Sequence, residues 1–93
     1  MSQDNCAYVL VEIQPGRERE FDNEILSKGL ILEAERMDFV HGSFDFVIIL
    51  HGAMADIDRR IMEIRTSQFV RRTETLICFD MFIWEDLTGR LGE

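Results

Sequence analysis

Between Phe44 and His51 the chain reads FDFVIILH, with Phe44, Phe46, Ile48 and Leu50 on one phase and Val47 and Ile49 on the other. Side chains alternate between the two faces of a strand, so a segment apolar on both phases is a central strand covered on both sides. The segment His41–Phe44, HGSF, is the turn before it, and Gly52 ends it. Cover on both faces is demanding for 93 residues, which make one domain and no more. At this size folding buries roughly 60 to 65% of the unfolded chain's surface, so the monomer's own core is small. Yet 46% of the residues are apolar, with 1 Pro and 6 Gly. That is the composition of a compact globule with more apolar side chains than one small core hides.

The remaining segments alternate between two periodicities. Cys6 to Ile13, CAYVLVEI, has Ala7, Val9, Val11 and Ile13 on one phase and Tyr8, Leu10 and Glu12 on the other, which predicts a first strand. Pro15 and Gly16 break it. Arg17 to Lys28 carries Phe21, Ile25 and Leu26 at helical spacing, and Gly29 is a plausible stop. Leu30 to Val40 mixes apolar residues with Glu33, Glu35, Arg36 and Asp38, as an edge strand does to discourage pairing with other chains. After Gly52, Asp56 opens a second helix with Ile57, Ile61 and Ile64 on one face. From Val70 the alternation resumes through Thr73, Thr75, Ile77, Phe79, Met81 and Ile83 as a long last strand. The domain is thus 1–93, with a core of about 6–83 and a C-terminal tail over 84–93.

Strand, helix, strand, strand, helix, strand is the ferredoxin-like plan, an α+β fold with a four-stranded antiparallel sheet in order 4-1-3-2 and both helices on one face. The other face keeps Tyr8, Leu10, one phase of the third strand, and Phe79 or Phe82 of the fourth. An apolar patch of that size is unusual on a monomer, so sheet is expected to pack on sheet in a dimer.

Charge narrows the partners. The chain has 18 Asp and Glu against 10 Lys and Arg, a net charge of −8. Nucleic acid is not expected as a direct partner, because binding a polyanion draws on clustered cations. Arg59, Arg60, Arg65, Arg71 and Arg72 do fall within fourteen residues, and are read as solvated or interface-pairing arginines. No 18-residue apolar stretch and no apolar leader occurs, so no membrane partner is expected. Cys6 and Cys78 lie in apolar segments without metal spacing, which predicts buried free thiols and a cytoplasmic location.

Little points to catalysis. His41 and His51 are not spaced with a cysteine or carboxylate as metal ligands, and are expected on the surface or at caps. Asp56 with Asp58, and Glu85 with Asp86, read as helix-start and tail charges. No phosphate loop, nucleophile elbow or zinc motif is present, so no metal and no cofactor is expected. Two segments remain: Gly42-Ser43-Phe44-Asp45 before the third strand, and Val70-Arg71-Arg72-Thr73-Glu74-Thr75 opening the fourth. One reading is structural, with Gly42 supplying positive φ, Asp45 holding the turn, and the threonines serving as strand formers. The other is functional: Asp45 pairs with an ammonium, while threonine hydroxyls and N–H groups near Gly42 receive a carboxylate, a set suited to a free amino acid.

G-x-[F/Y]-D followed 28 residues later by the first Thr of V-x-x-T-x-T resembles the effector-binding (RAM) domain of the Lrp/AsnC transcriptional regulators. The likeness runs from about Ala7 to Met81. The helix-turn-helix those regulators use on DNA is missing, so the chain looks like a stand-alone member. Two features depart from the family: the strand before Gly42 is longer than usual, and His41 stands where a small hydroxyl residue is common. The resemblance implies that Gly42, Ser43, Phe44 and Asp45 form the effector loop and that Thr73 and Thr75 face the ligand. It implies dimers associating into rings of about eight chains. In the 4-1-3-2 order strands three and four are expected to begin at opposite ends, roughly 20 Å apart, so a site using both motifs would lie between subunits.

The leading expectation is a sensor without catalysis, responding to an amino acid or related metabolite, acting in transcription regulation without touching DNA, and joining full-length regulators through the same sheet interface. The alternatives are a small dimeric ferredoxin-like enzyme, such as a cofactor-free monooxygenase, and a ligand-free oligomerisation module. The enzyme needs an ionisable group between sheet and helices. The candidate helix-facing set, Ala7, Val9, Val11, Ile13, Phe21, Ile25, Ile57, Ile61 and Ile64, offers none.

Overall fold

The computed structural model describes residues 5–79 and 84–91. Its elements are β1 (Asn5–Ile13), α1 (Glu18–Ser27), β2 (Arg36–Phe39), β3 (Phe46–Gly52), α2 (Met54–Arg65), β4 (Val70–Cys78) and α3 (Trp84–Leu91). The four strands form one antiparallel sheet in the order β2-β3-β1-β4, which is the expected order read from the other edge. The fold is α+β and ferredoxin-like, with α3 added.

Register assigns every strand residue to a face. Val11 of β1 lies between Phe46 of β3 and Thr73 of β4, and Val9 lies between Ile48 and Thr75. Residues paired in this way point to the same side. One side therefore carries Ala7, Val9, Val11, Ile13, Phe46, Ile48 and Leu50, all buried against Phe21 and Ile25 of α1 and Ile57, Ile61 and Ile64 of α2. The whole expected helix-facing set is in this core. The ring of Phe21 lies 5.5 Å from that of Phe46, tying α1 to the start of β3.

The other side carries Cys6, Tyr8, Leu10, Val47 and Ile49, all half-buried, with Leu76 49% exposed. Neither α1 nor α2 covers it. On β4 the apolar residue of this face is Leu76 rather than Phe79, because Cys78 closes the strand and Phe79 lies beyond it, fully exposed. The expected continuation through Met81, Phe82 and Ile83 lies outside the described residues. Over part of the expected tail, Trp84–Leu91 is helical, with Glu85 and Asp86 in its first turn, where carboxylates favour the helix dipole.

Four expectations are corrected. The second strand spans only Arg36–Phe39 rather than 30–40, because Leu30 turns into the core and Glu35 is drawn inward to Arg60. For the same reason the strand before Gly42 is short. The second helix begins at Met54, so Asp56 sits in its first turn instead of opening it. Arg60 is fully buried, unlike the solvated arginine expected of it. The cysteines are half-buried on the uncovered face, since their phase is that of Tyr8 and Leu10.

Candidate functional site

The loop from Val40 to Asp45 is held at both ends by backbone. Val40 N–H donates to the Asp45 carbonyl and Asp45 N–H donates to the Val11 carbonyl, each at 2.8 Å. Gly42 sits between them with φ of 143°, a conformation that L side chains rarely adopt. Beyond Val11 and Phe46, β3 has no further residue to pair with β1. The Asp45 carboxylate takes over: its Oδ2 accepts the Ile13 N–H at 2.7 Å. A side-chain oxygen thus supplies one more rung to the ladder, beside the register shift that β1 makes against β4 at Glu12 and Ile13. No hydrogen bond to the other Asp45 oxygen is made among the described residues.

The second motif arrives at the same end of the sheet. Arg72 lies opposite Glu12 in register and its Nε donates to Glu12 Oε1 at 3.0 Å. Its Nη2 donates to the Ser43 carbonyl at 3.2 Å, and its guanidinium carbon lies 4.3 Å from the centre of the Phe44 ring. Arg71 is within 4.0 Å of the other Glu12 oxygen. One arginine therefore joins β4, β1 and the loop, through an ion pair, a backbone acceptor and an aromatic face.

This overturns the expected separation of the two motifs. Strands β3 and β4 are joined by the α2 crossover and both run antiparallel to β1, so they are parallel to each other and begin at one end. No subunit boundary is required to bring the loop and the start of β4 together.

The threonines are placed differently. Thr73 shares its row with Val11 and Phe46, and Thr75 shares the next with Val9 and Ile48, so both take the helix-side phase, on a strand at the sheet's edge. Arg72 and Glu12 take the opposite phase. Thr73 lies two strand spacings, about 10 Å, from Phe46, and Thr75 about 7 Å further up the strand. Gly42, Ser43, Phe44 and Asp45 are thus gathered with Arg72, while Thr73 and Thr75 share the end of the sheet but not the face. Arg72 was legible only as an unspecified position of V-x-x-T-x-T; its pairing with Glu12 depends on register. Of the histidines, His51 is exposed at the far end of β3, and the His41 ring, next to Gly42 in the loop, lies 5.9 Å from that of Phe39.

Structural comparison finds several relatives at low identity. FFRP-DM1 is 24% identical, with a TM-score of 0.67 over 81% of this chain and 99% of its own. TTHA0845 from Thermus thermophilus is 23% identical, with a TM-score of 0.70 over 85% of this chain and 98% of its own. AsnC of E. coli is 18% identical, with a TM-score of 0.60 over 87% of this chain and 54% of its own. No family model and no curated protein matches the sequence. The chain has an Lrp/AsnC-like fold.

Proposed function

We propose that this chain is a non-catalytic small-molecule-binding domain that works as an oligomer, with an amino acid or related metabolite as its ligand. The observation that carries the reading is the convergence of Gly42–Asp45 with the start of β4, through the contacts of Arg72 with Ser43 and Phe44. Asp45 takes the ligand's ammonium on the oxygen not used by Ile13, and N–H groups near Gly42 take its carboxylate. Thr73 and Thr75, on the other face at the outer edge, belong to the contact made by a neighbouring subunit's ligand. Ligand binding and assembly are then linked, since a molecule that bridges subunits stabilises their association.

The uncovered face of Tyr8, Leu10, Val47, Ile49 and Leu76 supports dimerisation through the sheet. The motif resemblance of Gly42–Asp45 and Val70–Thr75 to the Lrp/AsnC regulators, on a fold shared with AsnC, supports a place in transcription regulation, with full-length regulators as partners and further association of dimers into rings. The sheet-and-helix core is lined by apolar side chains, and the buried carboxylate beside it, Glu35, is committed to Arg60 and to the N–H groups of Leu32 and His51, which supports a sensor over an enzyme. No helix among the described residues is long and apolar enough to cross a membrane.

The test is a thermal-shift screen of the twenty amino acids with light scattering on the same samples. A ligand at 100 times its Kd adds about 2.7 kcal/mol of stability. One amino acid that raises the melting temperature and shifts the assembly supports the reading; twenty flat responses overturn the proposed ligand class.

A further inference from the structure

The end of the sheet opposite the loop carries the two cysteines. Cys6 of β1 and Cys78, the last residue of β4, are direct register partners. Directly opposed residues in an antiparallel pair have Cα atoms about 4.5 or 5.5 Å apart and side chains on the same face. Both spacings fall within the range of about 4.4 to 6.8 Å that a disulfide spans. The groups on this face are close enough to act on one another's charge: Cys78 raises the Cys6 thiol and Tyr8 lowers it, against the larger upward push of burial. Both cysteines are thiols, and both are half-exposed on the face that neither α1 nor α2 covers.

We propose that Cys6 and Cys78 form a reversible cross-strand disulfide that pins the end of β4 to β1 when the chain meets a low-molecular-weight disulfide. The thiolate of one cysteine attacks a sulfur of the small disulfide, forming a mixed disulfide and expelling one small thiolate. The thiolate of the other then attacks the protein sulfur of that mixed bond and expels the second small thiolate. Two protein thiols are oxidised, one small disulfide is reduced to two thiols, and the two cysteine protons end on the products.

Position decides what the bond does. β4 is an edge strand of the described sheet, and Cys78 is the last of its residues paired with β1 among the described residues. A covalent link there closes a loop of most of the chain and prevents the last rungs from fraying. Geometry makes the link reversible. Opposed side chains stand about 4.5 to 5.5 Å apart at Cβ, whereas disulfides average about 3.8 Å, so closure stores strain that favours reduction. Burial holds the Cys6 thiol above its ordinary range despite Tyr8, and Cys78 adds to this. A thiol raised in this way slows every exchange at Cys6, with the small disulfide as with any other oxidant.

The test treats the full chain with glutathione disulfide under non-reducing conditions, followed by mass spectrometry, peptide mapping and melting. The expected result is a single chain, not covalently joined to another, lighter by two hydrogens, with one cross-link joining Cys6 to Cys78 and a melting temperature raised by about 10 °C and restored by dithiothreitol. Cys6→Ser and Cys78→Ser should each take up one glutathione and show no such rise. Chains joined to one another through cysteine, two glutathiones on one chain, or no reaction would each overturn the proposal. The wild-type map decides even where a variant fails to fold.

Discussion

Arg60 in α2 and Glu35 ahead of β2 meet as a buried, two-pronged ion pair, with Arg60 Nη2 donating to Glu35 Oε2 at 2.8 Å and Nη1 donating to Oε1. Neither side chain is more than 3% exposed. Arg60 also donates to the carbonyls of Leu30 and His51 and lies 3.1 Å from Asp56 Oδ2, while Glu35 accepts the N–H groups of Leu32 and His51. The pair thus fastens α2 to the loop after α1 and to the end of β3. Replacing Arg60 leaves the Glu35 charge buried and unmatched, which costs about 3 to 5 kcal/mol, and replacing Glu35 leaves Arg60 with only the part-exposed Asp56 as counter-charge, which costs somewhat less. Glu35→Gln and Arg60→Met should each lower the urea midpoint accordingly. The double variant Glu35→Leu with Arg60→Met should recover much of the loss, and a loss below about 1 kcal/mol in both single variants would contradict this assignment.

The same pair sets a pH dependence. Burial pushes the Glu35 carboxyl up, but the Arg60 hydrogen bonds, the N–H groups of His51 and Leu32, and the Arg60 charge together hold it down at about 2. A carboxyl depressed on folding contributes stability that is complete above its unfolded value, near 4.5, and is lost as pH falls toward about 2. The contribution at stake is roughly 3 kcal/mol. Unfolding followed between pH 5 and 2 should show this decline in the wild type. Glu35→Gln, starting lower, should show a flatter profile, and parallel profiles would exclude Glu35 as the source.

Much of this fold was legible because periodicity reports burial directly. Ala7, Val9, Val11 and Ile13 alternate, and they form the sheet side of the core; Ile57, Ile61 and Ile64 recur at helical spacing, and they form the lid. Arg60 was not legible, because a charge is buried only when distant partners satisfy it, and Glu35 lies 25 residues away. Glu35 in turn delays the start of the second strand to Arg36, an outcome no local pattern contains. The Gly42–Asp45 turn could be read from its residues. That Asp45 completes the β1 ladder at Ile13, and that Arg72 rather than a threonine reaches the loop, are consequences of register between segments about 30 residues apart. The helix over Trp84–Leu91 was masked by Thr88 and Gly89, both weak helix formers.

The proposed ligand site separates into charge and shape. Asp45→Asn retains an oxygen for the Ile13 N–H, so the loop should persist with a stability loss of about 1 kcal/mol. The ammonium partner is gone, and loss of a charge-assisted hydrogen bond worth about 1.5 to 3 kcal/mol should weaken amino-acid binding about tenfold to a hundredfold. Thr73→Val and Thr75→Val should each cost about 0.5 to 1.5 kcal/mol of binding with little change in melting. Calorimetric affinity beside melting temperature decides: changed melting with unchanged affinity in all three would leave these residues purely structural roles.

Duplex DNA should not bind the isolated chain. Its net charge is −8, and Arg60, Arg71 and Arg72 of the arginine cluster are engaged by Glu35, Asp56 and Glu12. A polarisation titration at about 150 mM salt should show no saturation below about 10 μM, and sub-micromolar binding would refute this, since non-specific affinity alone falls at about 10⁻⁴ to 10⁻⁶ M.

Dimerisation through the sheet can be tested without disturbing the subunit. Leu10 sits at the middle of the uncovered face, between Val47 on β3 and Glu74 on β4. Leu10→Lys places an ammonium directly across from the Glu74 carboxylate, a favourable cross-strand pair in the separate subunit. In a sheet-to-sheet dimer the same ammonium is carried into an apolar interface, once from each subunit, and desolvating a charge there costs several kcal/mol. The variant should therefore keep the wild-type circular dichroism and fold as a monomer, with the dimer dissociation constant raised at least about a hundredfold. Light scattering across micromolar concentrations reads both species. A wild-type chain that is monomeric at those concentrations would remove the interface altogether, and a Leu10→Lys chain that dimerises like the wild type would move it to another surface.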